Sequence, residues 1–267
     1  SGAEYRITDL PAVGFSGDYY HRPAFIHGQW IEFQGCVMFI DPSGKGLDET
    51  AYSIVAHLNG NLFVLEVGSF REGYTEPVLR GIAEAAKRRK VKLILLEDQF
   101  GQGMMENLLQ PYLREVYPCT IEATRSNVQK ERRIINALEP VMNQHRLIFN
   151  RSVIEDDSKA RDDDSVETAL AYQLFHQLTH LTVDKQSLQH DDRLDSLAGA
   201  VQYWNESLAI DEDRAIKERE AELWELELAA YKGDIEGLLD AQILGVPIEK
   251  VQRQNAKSGW IKTHGNH

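Results

Sequence analysis

Acidic residues that follow apolar segments are the side chains of this sequence best placed to do chemistry. Asp41 and Glu97 each come directly after a run of apolar residues. A third acidic segment opens the predicted helix of "HDDRLDSLAGAVQYW" and contains His190, Asp191, Asp192 and Asp195. Carboxylates that cluster repel one another unless a cation lies among them. If the fold brings these segments together, we therefore expect a metal site.

The predicted ligands are all oxygen atoms, which suits Mg²⁺ or Mn²⁺ better than zinc. Two such ions are the usual machinery of phosphodiester hydrolysis, in which one activates water and the other stabilises the leaving oxygen. Taken singly, the residues have simpler explanations. Asp41 could accept amide hydrogen bonds in a turn, and Asp191 could be the N-cap of its helix. Glu97 is harder to explain in this way, because an acid that ends a fully buried strand is costly without a partner.

The stretch "FIDPSGKGLDETAYSIV" around Asp41 at first suggests a phosphate-binding loop. A P-loop requires a glycine five residues before its Gly-Lys pair and a Ser or Thr after that pair. Here Phe39 occupies the first position and Gly46 the last. The segment from Thr50 alternates like a strand, whereas a P-loop leads into a helix. Asp41, which we expect to be exposed at the end of its strand, is therefore the functional residue of this stretch.

The pattern of apolar residues predicts the elements that position these carboxylates. Residues 32–41, 50–58 and 61–68 form three successive strands, with a tight hairpin at "NGN". Helical spacing follows at 76–90, and the continuous apolar run at 91–98 predicts a strand buried on both faces. Pro140 must bend or restart a later helix. We further expect strands at 119–125 and 146–150, a charged loop at 155–165, and helices at 103–116, 128–144, 166–181 and 191–208.

This order of elements predicts an α/β fold with a mixed central sheet, in which three antiparallel strands are followed by parallel strands and flanked by helices. If the first and fourth strands are neighbours, Asp41 and Glu97 project from adjacent carboxyl ends. A helix packed across that edge then presents Asp192 and Asp195 from one face, because residues three apart are neighbours on a helix.

The length and composition of the chain indicate its domain organisation. The chain has 267 residues, 42% of them hydrophobic, which suits one large domain with a tail. We expect a tag remnant and interdomain linker at 1–30, a main domain at 31–208 and an acidic helical tail at 209–267, in a piece of a longer protein. No signal peptide or membrane span is evident in the sequence. Cys36 and Cys119 are expected to be buried thiols of a cytosolic protein.

Positive charge is concentrated where it could meet DNA. The net charge is −13, of which residues 1–150 carry only about −2 and the rest about −11. Lys130 and Arg133 share one face of a predicted helix, with Arg132 beside them, and near the carboxylates they would contact phosphates. Lys45 could contact DNA or temper the repulsion between the carboxylates. No base-reading element is evident, so we expect weak DNA binding with little sequence preference.

Four segments resemble, in order and spacing, the C-terminal nuclease domain of the large terminase subunit of short-tailed phages, within the RNase H-like, RuvC-type superfamily. They are "FIDPSGKGLDETAYSIV", "LLEDQFGQGM", "RRIINALEPVMNQHRLIF" and "HDDRLDSLAGAVQYW". The resemblance extends over residues 30–207. The resemblance implies an RNase H-like fold in which two Mg²⁺ or Mn²⁺ ions are bound by the catalytic carboxylates of Asp41, Glu97, Asp192 and Asp195. Asp48 matches an auxiliary acid of the family, and Asp191 is a further candidate ligand.

In that family the large subunit joins an N-terminal packaging ATPase to this nuclease, which cuts concatemeric double-stranded genome DNA at the start and end of packaging. The implied partners are double-stranded DNA, the ATPase domain, the portal and the small terminase subunit. The implied location is the host cell cytoplasm, with transient docking at the procapsid portal. Two other functions stay open. One is a structure-selective resolvase that prefers four-way junctions, and the other is a non-catalytic portal-docking module.

Overall fold

The computed structural model describes residues 3–10, 14–15, 17–23, 26, 28–42, 49–97, 103–125, 128–159 and 165–243, with the backbone alone from 226 to 243. Two predicted site residues, Lys45 and Asp48, lie outside the described residues. The chain divides into two compact units, Ser1–Leu208 and Ala209–His267. Among the described helices, none has the apolar length that a membrane crossing requires.

A six-stranded mixed sheet forms the centre of the first unit. Its strands are β3 (Gly35–Asp41), β4 (Thr50–Leu58), β5 (Asn61–Phe70), β6 (Leu93–Glu97), β7 (Thr120–Thr124) and β8 (Leu147–Phe149). Their spatial order is β7-β6-β3-β4-β5-β8. The β3–β4 and β4–β5 pairs are antiparallel, and β6, β7 and β8 each join the sheet parallel to a neighbour. This arrangement confirms the predicted mixed sheet with an antiparallel opening. Before it, a 3-10 turn at Ala3–Tyr5 precedes β1 (Arg6–Ile7), which pairs with β2 (Tyr20–His21).

The hairpin between β4 and β5 is the tight turn that the sequence predicts. Leu58 pairs with Asn61, so only two residues form the loop. Asn59 and Gly60 both have positive φ, 50° and 78°. These angles are typical of the type I′ turn, whose twist matches that of the flanking strands.

Helices cover both faces of the sheet. They are α1 (Glu76–Arg88), α2 (Met104–Val116), α3 (Lys130–Asn143), α4 (Arg151–Ser158), α5 (Val166–Tyr172), α6 (Leu174–His180) and α7 (Asp192–Ile243). Side chains alternate along β3, because successive residues of a strand point to opposite faces. Met38 and Ile40 pack in the core formed with α1 and α2. Val37 and Phe39 pack in the other core, formed with α3, α4, α6 and the first turns of α7.

Several helix boundaries differ from the prediction. The predicted helix at 166–181 is two helices, because Gln173 is extended (φ −75°, ψ 131°). The carboxylate of Asp157 accepts hydrogen bonds from the backbone N–H groups of Leu174 and Phe175 and so starts α6 anew. Asp157 itself belongs to α4, so the helix reaches into the predicted charged loop. The helix α3 includes Pro140 and does not restart there.

The helix that opens with the acidic segment is longer than predicted. The sequence predicts an end at residue 208, whereas α7 runs from Asp192 to Ile243 as one element. On this helix, described side chains from 211 to 225 are exposed, including that of Trp224. The end of such a helix is hard to predict from the sequence, because its exposed charged residues form no apolar face that would show where the helix stops packing on the domain.

Candidate active site

Two carboxylates meet where the parallel strands β3 and β6 end. Ile40 is paired with Leu96 in this ladder, and the next residue of each strand is Asp41 and Glu97. The structure thus confirms that the first and fourth strands of the sheet are neighbours. Because both strands run in the same direction, their carboxyl ends lie side by side.

The first turns of α7 pack across these strand ends. Ser196 and Ser53 of β4 share a buried hydrogen bond of 2.7 Å between their hydroxyl oxygens. Two turns further, the indole N–H of Trp204 donates to the carbonyl oxygen of Val55 over 3.1 Å. These two contacts hold the helix against β4, and they place Asp195 above the ends of β3 and β6.

Asp41, Glu97 and Asp195 form a compact carboxylate group. One ligand oxygen from each lies within 4.8 Å of the others. Asp41 and Asp195 are only 3% and 1% exposed, so the expectation of an exposed Asp41 is wrong. Burial under α7 is the reason, since the helix covers the strand end that the sequence alone leaves open. Three oxygen donors at one point fit a hard divalent cation such as Mg²⁺ or Mn²⁺.

The other two aspartates of the acidic segment lie beside this group. Among the described residues, Asp192 and Asp191 are not members of the group of three. Asp192 is buried, and its Oδ2 accepts a hydrogen bond of 3.1 Å from the backbone N–H of Glu49. Asp191 accepts a hydrogen bond of 2.9 Å from the ammonium group of Lys130. Asp195 therefore lies at the centre of the site, and the other two flank it.

The predicted DNA-binding cations on α3 pair with these same carboxylates. Lys130 Nζ lies 3.1 Å from Asp195 Oδ2 and 3.8 Å from Asp41 Oδ2. Arg133 donates from Nη1 to Glu97 over 2.6 Å and from Nη2 to both oxygens of Asp195, over 2.6 and 2.7 Å. These contacts balance part of the buried negative charge. Arg132, on the outer side of the helix, is exposed.

The protonation equilibria reflect this crowding of charge. Burial raises the pKa of Asp41 well above its usual range, and the charges of Asp195, Glu97 and Asp192 raise it further, against the opposing effect of Lys130. Burial likewise raises the pKa of Asp195, while Lys130 and Arg133 oppose the shift. For Lys130, burial alone would lower the pKa, but the surrounding aspartates raise it overall. A cation among these carboxylates thus favours their ionised form.

A second ion network, whose charged members are buried, adjoins the site and was not predicted from the sequence. Arg193 contacts Glu49, Asp157 and Ser69, which come from three different parts of the fold. The sequence offers a weak signal for it, a lone arginine between two aspartates at the start of an apolar helix. His190, whose role the sequence left open, is buried with its ring stacked 3.8 Å from that of Tyr172.

A mixed sheet of this order, with acids at the ends of two adjacent parallel strands and on the helix across them, defines an RNase H-like domain. Residues 40–147 match the family described as "Terminase Bacteriophage T7, Ribonuclease H-like domain". The large terminase subunit of Enterobacteria phage T3 is 35% identical over 206 residues. These residues are 77% of this chain and 35% of that relative, so the chain spans only part of its length. The chain is therefore similar to the RNase H-like domain of a phage terminase large subunit.

Solved structures with similar folds include two viral terminase domains. The terminase nuclease domain of human cytomegalovirus, soaked with Mn and bound to an inhibitor, has a TM-score of 0.45 and 12% identity, over 64% of this chain and 82% of that one. The nuclease domain of the large terminase subunit of bacterial virus Sf6, with manganese and beta-thujaplicinol, has a TM-score of 0.46 and 12% identity, over 64% and 90%.

Proposed function

We propose that this chain is a metal-dependent DNA endonuclease domain that cuts concatemeric double-stranded genome DNA at the start and end of phage packaging. The observation that carries this proposal is the group of Asp41, Glu97 and Asp195, with ligand oxygens within 4.8 Å of one another and with Asp41 and Asp195 buried. Buried carboxylates at this spacing are costly unless cations balance them. A site of oxygen donors that favours Mg²⁺ or Mn²⁺ is suited to phosphodiester hydrolysis.

The acids of the candidate site would bind the metal ions. Asp41, Glu97 and Asp195 would hold a divalent ion, and Asp192, with Asp191 beside it, supplies oxygens for a second. Bound ions of this kind activate water for attack on a phosphodiester and stabilise the leaving oxygen.

The cations of α3 complete the site. Lys130 and Arg133 pair with the carboxylates and are positioned to contact a phosphate that enters the site. The exposed Arg132 is positioned to contact flanking phosphates. Lys45 and Asp48 keep the roles that the sequence predicts for them, as a DNA contact and an auxiliary acid.

The wider assembly is part of the same proposal. The T3 relative is a terminase large subunit, and this chain matches 35% of its length. We place the chain beside an N-terminal packaging ATPase domain, in contact with the portal and the small terminase subunit. Its working location is then the host cell cytoplasm, at the procapsid portal during packaging. Within the chain, we assign the nuclease to residues 31–208 and an accessory role to the acidic helical tail at 209–267, after the linker at 1–30.

Cleavage of supercoiled plasmid in Mg²⁺ or Mn²⁺ tests the function directly. We expect the wild type to nick and linearise the plasmid, and Asp41→Ala and Glu97→Ala to lose at least about 100-fold in rate, as removal of a key electrostatic group does in other enzymes. Glu84→Ala is the matched control, because Glu84 is an exposed carboxylate on α1. Undiminished cleavage by both site variants would show that the assignment is wrong.

The same assay separates the two alternative functions. A resolvase would cut a four-way junction much faster than a linear duplex of the same sequence. A docking module without catalysis would bind portal protein but leave plasmid intact at every metal concentration. We expect comparable cleavage of junction and duplex, because the described residues show no element that reads DNA shape or bases.

A further inference from the structure

Arg193 lies between two acids of the candidate site in sequence but points away from them into the core. Its side chain is 8% exposed. Its guanidinium donates from Nε to Glu49 over 3.2 Å, from Nη1 to Asp157 over 3.3 Å and from Nη2 to the Ser69 hydroxyl over 2.8 Å. One side chain of α7 is therefore joined to the segment before β4, to β5 and to α4.

The two carboxylates that Arg193 contacts are both buried but have different further partners. Asp157 also accepts hydrogen bonds from the backbone of Leu174 and Phe175, at the start of α6. Glu49 instead donates its backbone N–H to Oδ2 of Asp192. The network thus has two arms. The Asp157 arm supports the start of α6, away from the carboxylate group, and the Glu49 arm reaches Asp192 in the candidate site.

Asp192 lies beside the carboxylate group, because it is three residues before Asp195 on α7 and residues three apart are neighbours on a helix. The hydrogen bond from Glu49 fixes the direction of the Asp192 carboxylate. The backbone of Glu49 is in turn held by its own side chain, 2% exposed and paired with Arg193. Gln177 further restrains the start of α7, because its side-chain oxygen accepts a hydrogen bond from the backbone N–H of Leu194 in the first turn of that helix.

We propose that Arg193 is a positioning residue that acts through Glu49 to hold the carboxylate of Asp192 towards the candidate metal centre. The proposal rests on the proposed function, because it assigns Asp192 to metal binding. Arg193 itself contacts neither metal nor DNA. Replacement of a residue that orients a metal ligand without binding the metal usually changes the metal affinity by about 10- to 100-fold.

Isothermal titration of Mn²⁺ into the whole chain without DNA tests this role. The informative variant is Glu49→Asp, which keeps the charge but shortens the side chain so that it no longer reaches Arg193. Asp157→Asn is the matched control, since it disturbs the same guanidinium on the arm that leads away from Asp192. Thermal unfolding in EDTA is measured for both, as a readout of the network's structural contribution.

We expect both variants to unfold at lower temperature than the wild type, because each leaves the buried guanidinium with a poorer partner. Only Glu49→Asp should weaken Mn²⁺ binding, by about tenfold or more. Equal Mn²⁺ affinities for Glu49→Asp and the wild type, or equal losses in the two variants, would overturn the positioning role. If Glu49→Asp fails to fold, Ser69→Ala serves instead. It loosens Arg193 without a change of charge and should weaken Mn²⁺ binding more than Asp157→Asn does; a smaller effect would equally overturn the proposal.

The outcome is separable from that of the proposed function. If wild-type protein neither binds Mn²⁺ nor cleaves plasmid, the proposed function fails before the variants are compared. If the wild type does both and the two arms behave alike, only the role of Arg193 fails.

Discussion

Gly199 of α7 lies directly against the ring of Phe39 of β3. A Cβ atom added at Gly199 would be 2.4 Å from Cε2 of that ring. Phe39 and Asp41 share a face of the strand because they are two residues apart, and Gly199 and Asp195 share a face of the helix because they are four apart. The close approach of glycine and ring therefore sets how near Asp195 comes to Asp41.

Gly199→Ala should separate the helix from the strand and so impair the site. We expect a loss of about 1–3 kcal/mol of stability, as overpacked cores show, and a fall in plasmid cleavage of at least about tenfold, since misplaced catalytic groups are costly. Gly81→Ala of α1 is the control, because its Cβ would clash similarly, 2.7 Å from Cζ of Phe70, in the core on the α1 side of the sheet. It should lose stability but keep most of its activity, as measured by thermal unfolding and by cleavage rates.

Divalent metal should stabilise the folded chain through Asp195. A ligand at about 100 times its Kd stabilises the state that binds it by about 2.7 kcal/mol, which raises the Tm of a domain of this size by roughly 5–10 °C. We expect this shift with Mn²⁺ for the wild type and for the control variant Glu84→Gln, in which the replaced carboxylate is exposed on α1. Asp195→Asn should show little or no shift in the same thermal scan. A full shift in that variant would place the metal elsewhere.

The buried charge of Asp41 should destabilise the chain when no divalent metal is present. Its pKa is raised in the folded protein, chiefly by burial, so the folded state binds the proton more tightly than the unfolded state does. The destabilisation is therefore present at neutral pH and is lost as the pH falls through the raised pKa towards the ordinary value. In EDTA at pH 7, Asp41→Asn should be more stable than the wild type by about 1 kcal/mol or more.

Thermal unfolding in EDTA from pH 4 to pH 8 measures this difference. The curves for Asp41→Asn and the wild type should converge towards pH 4, and saturating Mn²⁺ should reverse their order at neutral pH. A less stable Asn variant at pH 7 in EDTA would mean that the attraction between Asp41 and Lys130 outweighs the cost of burial.

Lys130 should contribute to DNA binding only when divalent metal competes for the carboxylates. It pairs with three aspartates in this structure, whereas Arg132 is exposed. With non-cleaving Ca²⁺, we expect Lys130→Gln to weaken duplex binding and to reduce the slope of log affinity against log salt by about 1. In EDTA the same variant should bind nearly as the wild type does. Arg132→Gln should weaken binding equally in both buffers, so fluorescence anisotropy with both variants separates the two roles.

Much of the sheet could be predicted because its strands carry strong local signals. The runs that end in Asp41 and Glu97 are apolar and have clear limits, and parallel strands bring their carboxyl ends to one edge of a sheet. The division of the helix at 166–181 could not be predicted, because its cause is the distant carboxylate of Asp157. That residue stands in a run of acids that all have the same local character, and the sequence does not show which of them is buried.

The pairing of Lys130 and Arg133 with the carboxylates was equally beyond the sequence. Helical spacing correctly placed the two cations on one face of α3, and the same spacing is compatible with solvent, DNA or acids as their partners. The choice depends on how α3 meets α7, and residues 130 and 195 are brought together only by the packing of both helices on the sheet. Whether the cations also contact DNA stays a prediction.

Residue types and the strand period identify which residues could act, because they place acids at the ends of apolar segments. How these acids are grouped depends on the packing of helices on the sheet. Asp192 and Asp195 are three residues apart, and either could lie at the centre of the site. The contact of Gly199 with Phe39 and the hydrogen bond between Ser196 and Ser53 fix the helix so that Asp195 joins Asp41 and Glu97. Long-range packing of this kind sets distances and burial, and no local pattern encodes them.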